Sequence, residues 1–235
     1  MSLSTKDVSA GNSGPSKLIE PGNIMATISK IELDQPSFLL KDEGYYLVLH
    51  LEGPPLGKDF EGFFIDKDNE SLGRHKGQVG RVKYSKWPFK DGTTKSGIVI
   101  KRNTEIMKAI KQLGIRLGDD TDNWFIEQDD KFETIEELIT AVNECGLYFK
   151  SPLNYCVASR QYMKQNGYTG NDCYLPKYNR NAIPYEEITA SPSKIAQFNE
   201  GTHVETVAPV KDFSGTDDMS SSESETSTPG SDFDI

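Results

Sequence analysis

The sequence predicts a mainly β domain with inserted helices, built as a small five-stranded barrel, followed by a disordered acidic C-terminal tail. Three observations predict it. Short apolar stretches alternate with period two between Gly- and Pro-rich breaks. One of them slips phase by a single residue, the mark of a β-bulge, and a barrel strand must bend sharply to serve two sheets. The last 37 residues, Asn199 to Ile235, hold nine carboxylates against one lysine among Ser, Thr, Gly and Pro. Such a composition cannot bury a core. The expected organisation is a flexible arm over 1–22, a folded body over 23–198 and the tail over 199–235.

The elements follow in order. Apolar residues alternate at Ile24, Ala26 and Ile28, then resume out of phase at Ile31 and Leu33. Tyr45, Leu47, Leu49 and Leu51 share one face of a second strand. Gly53-Pro54-Pro55-Leu56-Gly57 breaks that run, and residues 60–66 read as a third strand. Residues 78–85 and 98–101 are two more, joined by a loop whose Asp91-Gly92 is a hairpin signal. Asn103 is placed to cap a helix with Ile106, Met107, Ile110 and Leu113 on one stripe and Gly114 at its end. Thr134-Ile135-Glu136-Glu137 is a capping box. It opens a helix with Ile135, Leu138, Ile139 and Val142 on its stripe and Gly146 as its stop. Residues 147–150 and 155–158 read as strands, ahead of a stretch rich in Tyr, Asn and Gly up to Tyr185. This pattern suits the five-stranded oligonucleotide-binding (OB) barrel better than a sandwich. A generic α+β domain is the alternative.

The net charge of -10 is unevenly spread. Residues 67–116 hold thirteen Lys and Arg against four acids, whereas residues 117–148 hold one Lys against ten acids. The acidic average hides a basic block, and the segregation matters more than the sum. Cys145, Cys156 and Cys173 stand at wide spacings with no CxxC pair. They read as free thiols in a reducing cytoplasm rather than a zinc site. No apolar run of 18 residues exists, so no membrane helix is expected. Residues 1–23 lack the apolar segment of a secretory signal.

The densest signal is Arg81-Val82-Lys83-Tyr84-Ser85-Lys86-Trp87-Pro88-Phe89-Lys90, in which four cations interleave with three aromatics. A single nucleic-acid strand presents a phosphate track and unstacked base faces together. Cations meet the first and aromatic planes the second. Arg74, Lys76, Lys101 and Arg102 extend the same set. The bland reading is that Tyr84, Trp87 and Phe89 are core and that the cations are a solvated strand face. A second, weaker set lies between Tyr148 and Tyr185, where eight aromatics accompany Lys150, Arg160, Lys164, Lys177 and Arg180. They either line the same groove or pack the far end of the barrel.

Nothing in the sequence points to catalysis, and no cofactor is expected. Asp119, Asp120, Asp122, Glu127, Asp129 and Asp130 cluster in a polar loop. Two-metal chemistry instead needs carboxylates that converge from separate strands. Gly73, Gly77 and Gly80 precede no Gly-Lys-Ser/Thr, so no phosphate loop is present. His50, His75 and His203 are scattered.

A basic, aromatic OB-like body followed by an acidic tail with Phe233 near its end resembles single-stranded DNA-binding proteins. The body over 24–118 is most similar to those of tailed, crAss-like bacteriophages. In bacterial members the tail ends in aspartates followed by Ile-Pro-Phe, and in some phage members in Asp-Phe. Here Asp232, Phe233, Asp234 and Ile235 close the chain. The resemblance implies non-sequence-specific coating of single strands in DNA replication, recombination and repair, in the host cytoplasm. The tail would contest the DNA groove and, once displaced, dock Asp232–Ile235 on a polymerase, helicase or recombinase. A flexible coil of this length reaches about 30–35 Å, and tethering places it at roughly millimolar local concentration. Two alternatives stand: a strand-annealing recombination protein, and a structural or adaptor protein that never touches nucleic acid.

Overall fold

The computed structural model describes residues 21–53, 64–65, 74–75, 79–163, 169–177 and 182–207. Expectations for the N-terminal arm, for most of 54–78 and for the tail beyond Val207, its tip included, lie outside these residues. The chain is mainly β with inserted helices, as the sequence predicts. Strands β1 (Gly22–Asp34) and β2 (Gly44–Glu52) come first, then the short β3 (Phe64–Ile65) and β4 (Arg74–His75). Next are β5 (Val79–Lys83), β6 (Phe89–Lys90), β7 (Gly92–Thr93) and β8 (Val99–Ile100). Three helices follow: α1 (Arg102–Leu117), α2 (Asp119–Ile126) and α3 (Ile135–Cys145). The chain then returns to strands with β9 (Leu153–Met163), β10 (Thr169–Tyr174) and β11 (Tyr185–Glu187), and closes on α4 (Glu200–His203) and β12 (Val204–Glu205).

Five strands pair in a ring: β1 with β2, β2 with β5, β5 with β10, β10 with β9, and β9 with β1. Four of these pairings are antiparallel. The exception is β5 with β10, which run parallel where Lys83 meets Tyr174. The ring closes because β1 serves two partners. Gly22–Ala26 pair with β9, and the register against β2 shifts between Ile28 and Lys30. The phase slip in the sequence is thus a real bulge, and it lets Ala26, Ile28 and Ile31 all face the core.

Inward residues of β1, β2, β5 and β9 form the core with one stripe from each of α1 and α3. Fully burying one such Leu, Ile or Val contributes about 1.5–3 kcal/mol, so the alternating strands alone supply a large driving force. Beyond Ala26, β9 no longer accompanies β1, and a side chain takes its place. Asn143 of α3 accepts from Ile31 N–H at 2.9 Å and donates to Ile31 C=O at 2.7 Å. Its amide thereby acts as a strand surrogate on that edge.

Several local expectations need correction. The strand expected over 78–85 pairs with β2 and β10 rather than with residues 98–101. The hairpin turn lies at Thr94–Gly97, where Gly97 takes φ 83, and not at Asp91-Gly92. Asp91 caps α1 instead: its carboxylate accepts from Arg102 N–H at 2.7 Å, so Asn103 is not the cap. Helix α1 also runs through Gly114 to Leu117. Residues 147–149 form a 3-10 turn rather than a strand. The capping box stands as expected: Thr134 accepts from Glu137 N–H, and the Glu137 carboxylate accepts from Thr134 N–H. The folded body also continues past Phe198, because α4 and β12 pack on β9. Residues 199–205 therefore belong to the domain, not to the tail. Cys145 is half-buried and Cys156 and Cys173 are buried, and no disulfide joins them.

Candidate nucleic-acid interface

The pleat that turns Leu47, Leu49, Val82 and Val157 inward sends the alternate residues of the same strands outward. Across the ring the outer face therefore carries Glu32 and Asp34 from β1, Tyr46 and His50 from β2, and Arg81 and Lys83 from β5. Asp172 and Tyr174 from β10 and Arg160 and Tyr162 from β9 complete it. The loop after β5 brings Lys86 and Trp87 to the edge of this face, and β12 lays Glu205 beside Arg160.

Clusters of ionic contacts lie across the face. Arg81 donates to Glu32 at 2.6 Å, and His50 Nε2 lies 3.0 Å from the same carboxylate. Lys83 Nζ sits 4.1 Å above the Tyr46 ring and 2.7 Å from Asp172. Arg160 meets Asp172 at 3.4 Å and stacks its guanidinium 4.9 Å from the Trp87 ring centre. Lys86 Nζ is 5.5 Å from that ring centre. It also donates to both Glu205 oxygens, at 2.6 and 2.7 Å. Tyr174 donates to Glu205 at 3.2 Å. The buried Arg160 Nε has no acceptor among the described residues.

The sequence-predicted residues fall into two groups. Arg81, Lys83, Lys86 and Trp87 lie together on this face, and Trp87 is 59% exposed, as a stacking platform requires. Tyr84 and Phe89 turn the other way. The Tyr84 hydroxyl meets that of Tyr185 at 2.7 Å, and both rings pack on the core, so the bland reading holds for these two. Lys90, Lys101 and Arg102 sit at one end of the ring. Lys90 pairs with Glu43, Arg102 lies 4.7 Å from the Tyr45 ring centre and donates to the Asp42 carbonyl, and Lys101 is exposed. Arg74 lies on β4, whereas Lys76 is outside the described residues.

The basic block is not a bare positive surface. Its cations on the face are met by carboxylates far away in sequence, Glu32, Asp172 and Glu205. These partners are what sequence reasoning missed, whereas Arg160 and Tyr162 belong to the weaker set that it left between lining the groove and packing the barrel. Arg160 and Tyr162 lie two apart on β9 and hence on one face, a period-two signal inside the weaker aromatic set. The Tyr162 ring covers Gly170 on β10, where an added Cβ would stand 2.5 Å from it. Any side chain at that position displaces the ring.

Electrostatics at Glu32 give a pH test. Burial alone raises its carboxyl, but hydrogen bonds from Lys30 and His50 and the charges of His50 and Arg81 outweigh burial and bring it from 4.5 down to about 2. A carboxylate depressed by folding stabilises above its unfolded value, and the benefit fades as pH falls towards the folded value. The urea midpoint of the native chain should therefore drop further between about pH 5 and pH 2 than that of Glu32→Gln. Equal drops would mean that the cluster adds nothing to stability.

Glu205 is held below the ordinary carboxylate range, chiefly by the Lys86 hydrogen bond, and burial with the neighbouring Glu205 charge raises the Tyr174 phenol to about 12. Lys86 therefore holds a doubly coordinated anion, the arrangement a phosphate oxygen pair would take. Asp119, Asp120 and Asp122 lie on α2, and no group of three or more His, Cys, Asp or Glu suited to a metal ion occurs among the described residues. No helix among them is long and apolar enough to cross a membrane. Compared with known proteins, the chain matches no family model, no curated protein and no solved structure.

Proposed function

We propose that the five-stranded ring is an OB-type barrel whose outer face binds single-stranded DNA without sequence preference. The observation that carries this reading is Trp87, 59% exposed at the edge of the face with Arg160 and Lys86 against its ring. An exposed aromatic plane among cations is what a base and its phosphate need together. The ring's order supports it as well: strands one, two and three of the ring in sequence, the third parallel to the fifth, and the first closing on the fourth. A five-stranded Greek-key barrel of OB type presents the sheet face used for oligonucleotides. The tail would recruit replication or recombination proteins through Asp232–Ile235.

A titration of oligo(dT) at two salt concentrations tests the proposal. Trp124→Phe removes the second tryptophan, which packs edge-on against Tyr148, so that Trp87 reports alone. Submicromolar binding at low salt, with Trp87 quenched and duplex bound weakly, is expected. Tight duplex binding with no preference for single strands would overturn it. The adaptor reading is favoured by one observation, the carboxylates already seated on Arg81, Lys83 and Lys86. It predicts no mobility shift of labelled single strands at all.

Glu205 gives the finer test. With the carboxylate gone, Lys86 is free for phosphate, so Glu205→Gln should bind oligo(dT) more tightly at low salt. The slope of log affinity against log salt should steepen by about 0.7, the value of one added contact on a single strand. An unchanged slope would show that Lys86 does not meet the strand.

A further inference from the structure

The helical layer carries a feature that the strand face leaves unexplained. A groove of about 470 Å³ lies between α1 and the segment joining α2 to α3. Met107, Phe125, Ile126 and Phe132 line it, and Met107 and Ile126 are 40% and 53% exposed. Exposed carboxylates of Asp129, Asp130 and Glu133 stand beside them, with Lys111 as the only cation in the lining. No described cation is ion-paired with those three acids, in contrast to the strand face, where Arg81, Lys83 and Lys86 each meet a carboxylate. The whole stretch 117–148 holds ten acids and one lysine.

Hydrogen bonds within the chain shape the groove. Gln128 donates its side-chain amide to Trp124 C=O at 2.9 Å, Lys131 N–H donates to Gln128 C=O, and the Glu137 carboxylate fastens the N–H groups of Glu133 and Thr134. A cleft of this size accommodates two or three large apolar side chains; binding clefts run from roughly 300 to 1,000 Å³. Apolar walls with unpaired carboxylates at their edge fit an apolar anchor flanked by cations.

We propose that this groove docks a basic, apolar-anchored helical segment of a partner protein, with large apolar residues at helical spacing and Lys or Arg beside them. Charge decides against the chain's own tail, since Phe233 and Ile235 are flanked by Asp232 and Asp234 and would bring like charge to the rim. The groove sits on the helices, so the proposal stands apart from the nucleic-acid reading.

The probe is a fluorescein-labelled 14-residue peptide with Leu at three helically spaced positions and Lys at the flanks, read by anisotropy on the full chain. Its counterpart carries Glu for every Lys. Saturable binding of the Lys peptide and none of the Glu peptide is expected. Met107→Glu, at an exposed helical position, should weaken binding about tenfold, as loss of one anchoring contact does. Asp129→Asn with Asp130→Asn should weaken it and flatten its salt dependence; Asn tolerates the φ of 57 that Asp130 adopts. Oligo(dT) affinity should be unchanged in all these variants, which separates this site from the strand face. Equal peptide binding by native chain and variants would reduce the effect to adsorption on an acidic surface and overturn the proposal. Two other outcomes also overturn it. Self-association lost on Met107→Glu assigns the groove to a second copy, and tighter peptide binding after removal of residues 1–20 assigns it to the chain's own arm.

Discussion

If the proposed function holds, Trp87→Ala should lower the affinity for oligo(dT) by about 1–3 kcal/mol, the worth of one base stacked on an aromatic side chain. The structure makes this a clean substitution. Trp87 is 59% exposed and contributes nothing to the core cluster, so the fold does not depend on it. Arg160 keeps its place without the ring, because Asp172 holds its guanidinium at 3.4 Å. Lys86 is likewise held by Glu205 at 2.6 Å. Charge contacts therefore survive while the stacking plane is lost. Affinity should fall at every salt concentration by the same factor, leaving the salt slope as it was. Trp87→Phe should recover most of the loss. Unchanged affinity in Trp87→Ala would remove the platform from the proposed function. A flatter slope would mean that the ring acts by positioning the two cations.

Asn143→Ala should destabilise the domain by about 2–6 kcal/mol, since it leaves both polar groups of Ile31 without partners and each unmet buried group costs about 1–3 kcal/mol. Ile31 is fully buried, so water does not readily replace the amide. The same side chain also donates to Ile139 C=O at 2.8 Å, tying the surrogate to its own helix. Urea unfolding of the native chain and the variant measures the loss. A change of less than about 0.5 kcal/mol, typical of an ordinary surface substitution, would show that β1 satisfies itself at this point.

The sequence disclosed features that depend on near neighbours. The bulge was legible because apolar phase is a property of ten consecutive residues, and the capping box because Thr134 and Glu137 are three apart. The basic and aromatic character of residues 81–90 was legible for the same reason. Which of those side chains face outward was readable only in part. Strand alternation places Arg81 and Lys83 on one face of β5, but Tyr84 and Phe89 are claimed by Tyr185 and the core. The partners that neutralise the block were invisible. Lys83 meets Asp172 across 89 residues and Lys86 meets Glu205 across 119, pairings that only the closed ring brings about. Asp91-Gly92 misled because a turn signal names residues that favour a bend, while the fold used Asp91 as a helix cap and Gly97 for the bend. Glu205 looked like tail by composition. Its two-residue pairing with β9 is too short to leave a pattern.

The junction between β1 and β9 also sets the order in which this protein comes into being. Gly22 pairs with Val157, so the ring waits for a residue made late in synthesis. Until then the outer edge of β1 is open, and on a ribosome the first three ring strands must emerge and hold as an unfinished sheet. Contacts this distant are entered only after the loop-closure cost has been met, which makes such topologies slow to fold. Helices α1 and α3, whose hydrogen bonds are local, can assemble first and offer Asn143 to the waiting strand. Truncation before β9 should therefore leave no smaller folded core, and the nascent chain is most exposed to mispairing just before that strand arrives.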